Sequence, residues 1–397
     1  MKFSCKTSDI LQSLQLVSRA ISGQQTLPIL NNILLEAEGK RCTVSATDLE
    51  LSIVTSFEAS IENEGAITIP AKAILNFAQY NTDREVLLET SGGTQLKCTS
   101  PHAKTLIAGE VATEYPTIVP IENEQVFSLQ VDPLLEALRM VTFASAKSTL
   151  RPVLSGVYLR AEKGGLIFVA TDSYRLSEYR LSCSVGGKDI SCIVPTKVLE
   201  ELRSVLGAMR GEEKKEKKEE REKEKETKTK KEKEEQAPAA TIDIALSSQQ
   251  IELRVGHTRL LSRLIEGKFP DYQQIIPKET VTKATFATDE LLTTVKRMHY
   301  FAKETNNNLT FHISGSHAHL ATPQTQTGRD EATMESTITG KENKIALSSS
   351  YLLDFLNHVD GNEVEVHITD SMHPAVFRIP KSDALLHLIM PLRLQEE

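Results

Sequence analysis

The chain has 397 residues, of which 40% are hydrophobic and 25% charged, and 46 basic against 54 acidic residues give a formal net charge of −8. This is the composition of a globular protein with room for two or three domains, and the negative charge excludes global attraction to nucleic acid or to an anionic membrane. No segment approaches the roughly 20 apolar residues of a membrane-spanning helix and the N-terminus lacks the apolar core of a signal peptide, so we expect a cytoplasmic protein.

Three helices with the same apolar pattern are predicted at the starts of three similar segments. They begin near Ser8, Asp132 and Asp289, residues whose side-chain oxygens can cap a helix N-terminus. The apolar residues are spaced three or four positions apart, at Ile10, Leu14, Val17 and Ile21, at Leu134, Leu138 and Val141, and at Leu291, Val295, Met298 and Ala302. The recurrence indicates an internal repeat.

A shorter second helix is predicted in each segment, after Pro70, Pro195 and Ser348. Its buried positions are predicted to be Ile74 and Phe77, Leu199 and Leu202, and Leu352 and Phe355. Alternating apolar residues predict strands at 32–36, 42–48, 86–89, 156–160, 166–172, 251–255 and 364–368. The predicted fold class is α+β, with three tandem helix-strands-helix-strands domains at 1–124, 125–280 and 281–397.

The first two repeats are offset by 124 residues, which relates Pro28 to Pro152 and Asp48 to Asp172. Two aspartates at equivalent positions of separate domains do not form a catalytic pair. Because Asp side chains accept hydrogen bonds from nearby backbone N–H groups, we predict that both form turns at strand ends.

A charged insertion, 211–237, interrupts domain 2 after its second helix. From Glu212 to Glu235, 22 of 24 residues are charged, half of them acidic and half basic. The tract has no apolar stripe that could pack on the domain, so we predict a solvated spacer, flexible or partly helical.

Sequence motifs for phosphate loops, dinucleotide folds, nucleophile elbows and zincin sites do not occur, and nothing argues for catalysis or for a cofactor. One alternative from another class is a metal-dependent enzyme that uses His312, His317 and His319, the last two of which share a strand face. A second alternative is a repeat scaffold that binds proteins alone.

Several sequence segments resemble the bacterial DNA polymerase III beta subunit family, the sliding clamps. They are Leu27 to Leu30, Ala46 to Glu50, Val169 to Leu176, Glu266 to Tyr272 and the ending Met390 to Leu394. The resemblance runs in order along the whole chain. It implies a ring formed by a head-to-tail homodimer, with helices inside and sheets outside, that encircles duplex DNA without reading its sequence.

The resemblance further implies a cleft between domains 2 and 3 that binds short peptides from DNA polymerase III alpha, the clamp loader, repair proteins and other proteins with a clamp-binding motif. Carried over by motif, the cleft comprises Leu154, Thr171, Ser173, Tyr174, Arg175, Leu176, Pro270, Ile275, Leu388, Met390, Pro391, Leu392, Arg393 and Leu394. An ion pair at the domain interface is an equally good interpretation of Arg175, and a buried last strand is the alternative for Leu388 to Leu394.

Phosphate contacts are predicted on the helices, which carry ten basic and eight acidic residues in a chain of net charge −8. The candidates are Lys72, Lys197, Arg203, Lys296 and Arg297. Solvated helix faces would explain the same excess. Relative to the family pattern, Gln24 and Gln274 replace basic residues of some members, Pro152 and Val153 replace aromatic ones, and Gln395 to Glu397 extend the C-terminus.

Overall fold

The computed structural model describes residues 1–21, 23, 27–121, 125–148, 150–186, 190–207 and 240–394. The charged insertion 211–237, Gln24 and the extension Gln395 to Glu397 lie outside these residues. The chain divides into two compact units, unit 1 with Met1–Val131 and Glu201–Leu264, and unit 2 with Asp132–Glu200 and Ile265–Glu397.

Unit 1 contains two antiparallel sheets within its described residues. Its strands are β1 (Lys2–Lys6), β2 (Asn32–Glu38), β3 (Arg41–Thr47), β4 (Leu51–Glu58), β5 (Ser60–Asn63), β6 (Gly65–Pro70), β7 (Glu85–Ser91), β8 (Gln95–Thr99), β9 (Lys104–Ala108), β10 (Gln125–Gln130), β15 (Thr241–Leu246), β16 (Gln250–Val255) and β17 (Thr258–Arg263). The sheet orders are β5-β1-β7-β8-β9 and β10-β15-β16-β17-β4-β3-β2-β6. The second sheet joins strands of predicted domains 1 and 2 through the pairing of β4 with β17.

Unit 2 repeats this arrangement in its described part. Its strands are β11 (Gly156–Glu162), β12 (Gly165–Thr171), β13 (Arg175–Ser182), β14 (Ser191–Pro195), β18 (Thr282–Ala287), β19 (Asn308–Ser314), β20 (His317–Ala321), β21 (Glu331–Glu335), β22 (Thr337–Gly340), β23 (Asn343–Ser348), β24 (Glu363–Ile368), β25 (Ala375–Arg378) and β26 (Leu385–Ile389). The sheet orders are β14-β11-β12-β13-β26-β25-β24-β18-β22 and β21-β20-β19-β23. The nine-stranded sheet joins strands of predicted domains 2 and 3 in the same way, through the pairing of β13 with β26.

Six described helices pack their apolar faces on these sheets, at α1 (Thr7–Val17), α2 (Ala71–Tyr80), α3 (Val131–Val141), α4 (196–207), α5 (Thr288–Ala302) and α6 (Ser349–Leu356). The apolar positions predicted for them are buried, except that Ile21 follows α1 and is half-buried. Among the described residues, no helix is both long enough and apolar enough to cross a membrane.

The first helix of each repeat begins earlier than the sequence predicted. Ser8, Asp132 and Asp289 are not the capping residues of α1, α3 and α5 but lie in their first turns. There the positive end of the helix dipole stabilises the carboxylates of Asp132 and Asp289. A distant loop binds the first helical N–H group instead. The N–H groups of Thr7, Val131 and Thr288 donate to the carbonyl oxygens of Arg84, Ala240 and Asn362 at 2.9, 2.9 and 3.0 Å.

Candidate functional site

A tight turn follows β12 and presents the central part of the predicted cleft. The Asp172 carboxylate accepts the N–H groups of Tyr174 and Arg175 at 2.9 and 3.0 Å. The Thr171 hydroxyl donates to the Arg175 carbonyl at 2.6 Å and accepts the Ser173 N–H at 3.1 Å, while Ser173 adopts a φ of +80°. This confirms the predicted Asp turn and leaves Tyr174 64% exposed.

Arg175 turns inward from the same loop and is 6% exposed. Its Nε lies 3.0 Å from Asp172 Oδ2, and its Nη1 lies 2.5 Å from Asp354 Oδ2. The guanidinium also lies over the rings of Tyr351 and Phe143, 4.7 and 5.7 Å from their centroids. Because a buried cation is costly without anionic partners, these contacts fix the side chain, as the ion-pair interpretation predicts.

The last strand lies beside this turn. Strand β26 pairs with β13 so that Leu388 is opposite Leu176, and the Met390 N–H donates to the Tyr174 carbonyl at 2.8 Å. The chain then continues along unit 2, where the Leu392 N–H donates to the Ala346 carbonyl at 2.8 Å. The C-terminal segment is therefore held by backbone hydrogen bonds at two points.

An apolar cluster joins three of the predicted cleft residues, Leu154, Leu176 and Leu388. Val153 and Ile276, which sequence reasoning did not place in the cleft, pack against this cluster. The other buried members are Ile167, Val169, Ile193, Phe269, Tyr272, Val376 and Leu386. The cluster is part of the core of unit 2, so its three predicted members are core residues.

The segment that carries Pro270 and Ile275 is tied to β13 by a buried hydrogen bond. The Tyr272 hydroxyl donates to Glu178 Oε2 at 2.6 Å, and burial raises the pKa of Tyr272. Glu178, 2% exposed, also accepts from Arg180 at 2.9 Å. The buried carboxylate thus positions two exposed residues, Pro270 and Ile275, of the predicted cleft.

The fourteen predicted cleft residues fall into two groups by exposure. Five of them are buried, namely Leu154, Thr171, Arg175, Leu176 and Leu388. The exposed or half-buried group can touch a partner and consists of Ser173, Tyr174, Pro270, Ile275, Met390, Pro391, Leu392, Arg393 and Leu394. The accessible surface is thus mainly apolar, with one exposed arginine.

Sequence reasoning missed a buried histidine on β26, next to Leu388. His387 is fully buried, neither ring nitrogen has a hydrogen-bond partner, and the ring stacks on Phe355 with centroids 4.5 Å apart. Burial lowers the pKa of His387 well below its usual value, and the neighbouring Arg175 and His358 add to the effect. The ring is therefore neutral and serves as an aromatic packing group.

The five candidate DNA contacts lie on three described helices. Lys72 on α2, Lys197 on α4 and Lys296 on α5 are exposed, whereas Arg203 on α4 is half-buried. Arg297 on α5 forms a two-point ion pair, with Nε 2.8 Å from Asp330 Oδ2 and Nη2 3.1 Å from Oδ1. These hydrogen bonds raise the pKa of Arg297, and its donors must leave Asp330 to bind a phosphate.

The three candidate metal ligands do not form a metal site. His312 is opposite His319 in the pairing of β19 with β20, and its Nε2 lies 2.6 Å from Glu342 Oε1. His317 is opposite Ser314 and hydrogen-bonds to Ser316. Within the described ranges, no group of three or more His, Cys, Asp or Glu side chains could hold a metal ion. The metal-enzyme alternative therefore gains no support.

Comparison with known protein families gives three matches in chain order. The N-terminal, central and C-terminal domain models of the DNA polymerase III beta subunit match residues 1–119, 128–214 and 273–393. The chain belongs to the DNA polymerase III beta subunit family. All of the charged insertion except its first four residues falls between the second and third matches.

Individual relatives cover nearly the whole chain. The beta sliding clamp of Synechocystis is 28% identical over 99% of this chain and 100% of its own. The DNA polymerase sliding clamp of Bacillus subtilis superposes with a TM-score of 0.88 at 25% identity over 100% of both chains. A sliding clamp from Bartonella birtlesii, solved bound to griselimycin, gives a TM-score of 0.87 at 25% identity over 99% of this chain and 100% of its own.

Proposed function

We propose that the chain is a DNA sliding clamp, a non-enzymatic processivity factor that encircles duplex DNA and tethers replication and repair proteins. The match of three family domains in order along the chain is the observation that carries this proposal. In the proposed division, domain 1 spans 1–124, domain 2 spans 125–280 and domain 3 spans 281–397. No cofactor is required, and the compartment is the cytoplasm, where bacterial DNA lies.

The proposed homodimer joins different surfaces of its two subunits, as a head-to-tail ring requires. Strands β9 and β21 are edge strands of their sheets, and edge strands offer unpaired backbone groups to a second chain. Leu106 on β9 is 58% exposed, and Lys104 on β9 complements Glu331 and Glu335 on β21. Pairing of β9 with β21 of a second subunit, at both ends, would close the ring.

The DNA contact is proposed to be electrostatic and weak. Lys72, Lys197 and Lys296 lie on exposed helix faces, while Arg297 is engaged with Asp330. A ring that holds DNA by topology needs only loose phosphate contacts and must be able to slide.

The proposed partner site is the cleft of unit 2. Its accessible residues offer Met and Leu side chains, which adapt to apolar anchors, and Arg393 at the rim. Short peptide segments of DNA polymerase III alpha, the clamp-loader subunits and other proteins with a clamp-binding motif are the proposed ligands.

Encirclement is tested on DNA topology. The chain is loaded onto a nicked circular plasmid with a purified clamp loader and ATP, and the DNA is then linearised. Release on cutting is the expected result, because a ring slides off free ends. Retention after cutting would show direct contact binding, and failure to load with a loader that is active on another clamp would favour the protein-only scaffold.

The cleft is tested by deletion of residues 390–397. This deletion removes the hydrogen bonds of Met390 and Leu392 to the cleft wall and is expected to abolish binding of a polymerase tail peptide while the dimer persists. Fluorescence anisotropy measures the peptide and sedimentation measures the dimer. Removal of 395–397 alone is the control. Unchanged affinity after the longer deletion would refute the site.

A further inference from the structure

Unit 1 contains a second copy of the turn that forms the unit 2 cleft. The Asp48 carboxylate accepts the N–H groups of Glu50 and Leu51 at 3.1 and 2.7 Å. The Thr47 hydroxyl accepts the Leu49 N–H at 3.0 Å and donates to the Leu51 carbonyl at 3.2 Å. Each hydrogen bond has its counterpart 124 residues later, so the two turns have the same construction.

The strand beside the turn is repeated as well. The Arg263 N–H donates to the Glu50 carbonyl at 3.2 Å, as the Met390 N–H donates to the Tyr174 carbonyl in unit 2. Strand β17 pairs with β4 in the register that β26 adopts with β13, so that Leu261 corresponds to Leu388. Both walls of the unit 2 cleft thus have structural equivalents in unit 1.

A cavity of about 160 Å³ opens between these walls, and we name it the unit 1 groove. Its lining includes Leu49, Leu261 and the segment 116–119, which follows the buried Tyr115 as Pro270 follows Phe269. Leu49 is 45% exposed and Val119 62% exposed. A cavity of about 150 Å³ in a protein core holds a benzene molecule, so this volume suits one leucine- or phenylalanine-sized side chain.

Charge distinguishes the groove from its counterpart. Leu51 occupies the position of Arg175, so the groove lacks the buried guanidinium. Arg263, exposed at the rim, has no ion-pair partner within the described part of the chain. A ligand carboxylate would pair with it, whereas the exposed Glu50, whose carbonyl oxygen accepts the Arg263 N–H, disfavours a second acidic group nearby.

Leu49 supplies a further argument for an occupied groove. It adopts a φ of +74°, a conformation that costs a branched side chain strain, and it remains exposed. Ser173 holds the equivalent position with a φ of +80°. At 45% exposure, Leu49 gains only part of the stabilisation that full burial of an apolar side chain would give, and such strain concentrates at binding sites.

We infer that the unit 1 groove is a second docking site for an extended peptide segment, with one apolar anchor side chain in the cavity and one acidic side chain on Arg263. The inference rests on the proposed function, because it assumes that the duplicated architecture binds short segments in both places. The unit 1 groove is selective for a segment with one apolar and one acidic side chain. With both sites, one clamp subunit engages two segments at once.

The test uses methyl NMR of the full chain with nine-residue probe peptides. The first probe has one aspartate and, two residues later, one leucine in a Gly/Ser background. The control probes replace the aspartate with lysine or the leucine with alanine. The expected result is a shift of the Leu49, Ile118, Val119 and Leu261 methyl signals by the first probe, with at least tenfold weaker binding of both controls.

Charge reversal identifies the rim contact. Arg263→Glu is expected to weaken binding of the aspartate probe about tenfold and to strengthen binding of the lysine probe, because the charge at the rim is reversed. The backbone hydrogen bond of residue 263 does not depend on the side chain and is retained. Arg84→Glu, an exposed arginine of unit 1 that does not line the groove, is the matched control and is expected to change neither. Equal effects of the two variants would overturn the assignment of the rim contact.

The outcome separates the two proposals. If the probes leave the unit 1 methyl signals unchanged while a polymerase tail peptide shifts those of Leu176 and Leu388, the second site is overturned and the proposed function stands. If neither set responds, the peptide-binding role of both sites is overturned.

Discussion

Arg175 on β13 and Asp354 on α6 are joined by an ion pair with an Nη1 to Oδ2 distance of 2.5 Å, although 179 positions separate them in sequence. Asp172, three residues before Arg175, supplies the second carboxylate. The guanidinium therefore holds the turn that carries Tyr174 against the helix of the predicted third domain. Of the two interpretations of Arg175 from sequence, peptide contact and an ion pair between repeats, these contacts support the ion pair.

Asp354→Ala is expected to lower the stability of unit 2. The substitution leaves the buried Arg175 with one carboxylate, but Asp354 itself is 47% exposed, so we expect a loss of about 1–2 kcal/mol, below the full cost of an unpaired buried charge. Thermal unfolding followed by circular dichroism measures it, since the chain has no tryptophan. Asp360→Ala, which breaks the more exposed pair with Arg139, is the control, and an equal loss there would contradict the prediction.

The stability of unit 2 is expected to decrease as the pH is lowered, because of His387. Its pKa is lowered in the folded state, so between about pH 6.5 and that lower value only the unfolded chain binds the proton. Unfolding then becomes easier as pH falls, by about 1.4 kcal/mol per pH unit at most. Arg175 and His358 nearby disfavour protonation of the folded form further.

Replacement of His387 removes this dependence. His387→Phe and His387→Leu are both expected to reduce the stability loss between pH 7 and pH 5.5 by about 1 kcal/mol. Only the Phe variant keeps the stack on Phe355, so the two are expected to differ in stability at pH 7 but to share one pH profile. A parent-like pH profile in both variants would show that His387 is not the group responsible.

The elements of the fold could be predicted from sequence because their signals are local. The spacing of Ile10, Leu14 and Val17 marks the buried face of α1, and all three are buried. The start of that helix could not be predicted in the same way. Thr7 donates hydrogen bonds to the carbonyl oxygens of Asp83 and Arg84. No local sequence pattern predicts an acceptor nearly 80 residues away.

The candidate site also contains features that local sequence predicts and features that it does not. The turn at Asp172 was predictable, because its hydrogen bonds span two or three residues. Two partners of Arg175, Asp354 and Tyr351, were not predictable, since they come from a helix in another repeat. The burial of Leu154 likewise depends on tertiary packing, which motif matching does not describe.

Leu49→Asn is expected to stabilise unit 1. The left-handed conformation costs a non-glycine residue about 1–2 kcal/mol, and Asn tolerates it better than Leu, so we expect a gain of about 1 kcal/mol. Leu27→Asn is the matched control, because Leu27 is 50% exposed and has an ordinary φ of −107°. The thermal midpoints of the two variants are compared. A gain of the same size in Leu27→Asn would mean that removal of exposed apolar surface, and not relief of strain, is responsible.

The proposed DNA contacts on the helices lead to a graded prediction. Lys72→Ala and Lys296→Ala are each expected to reduce the log-log salt dependence of binding to a fluorescent duplex by about one unit, because each removes one proposed phosphate contact. Arg297→Ala is expected to have a smaller effect, since its guanidinium is already bound by Asp330. Lys381→Ala, an exposed lysine outside the helices, serves as the control. If the salt dependence is unchanged with both lysines removed, the positive charge of these helices serves their solvation. The contacts that hold DNA would then lie on other residues.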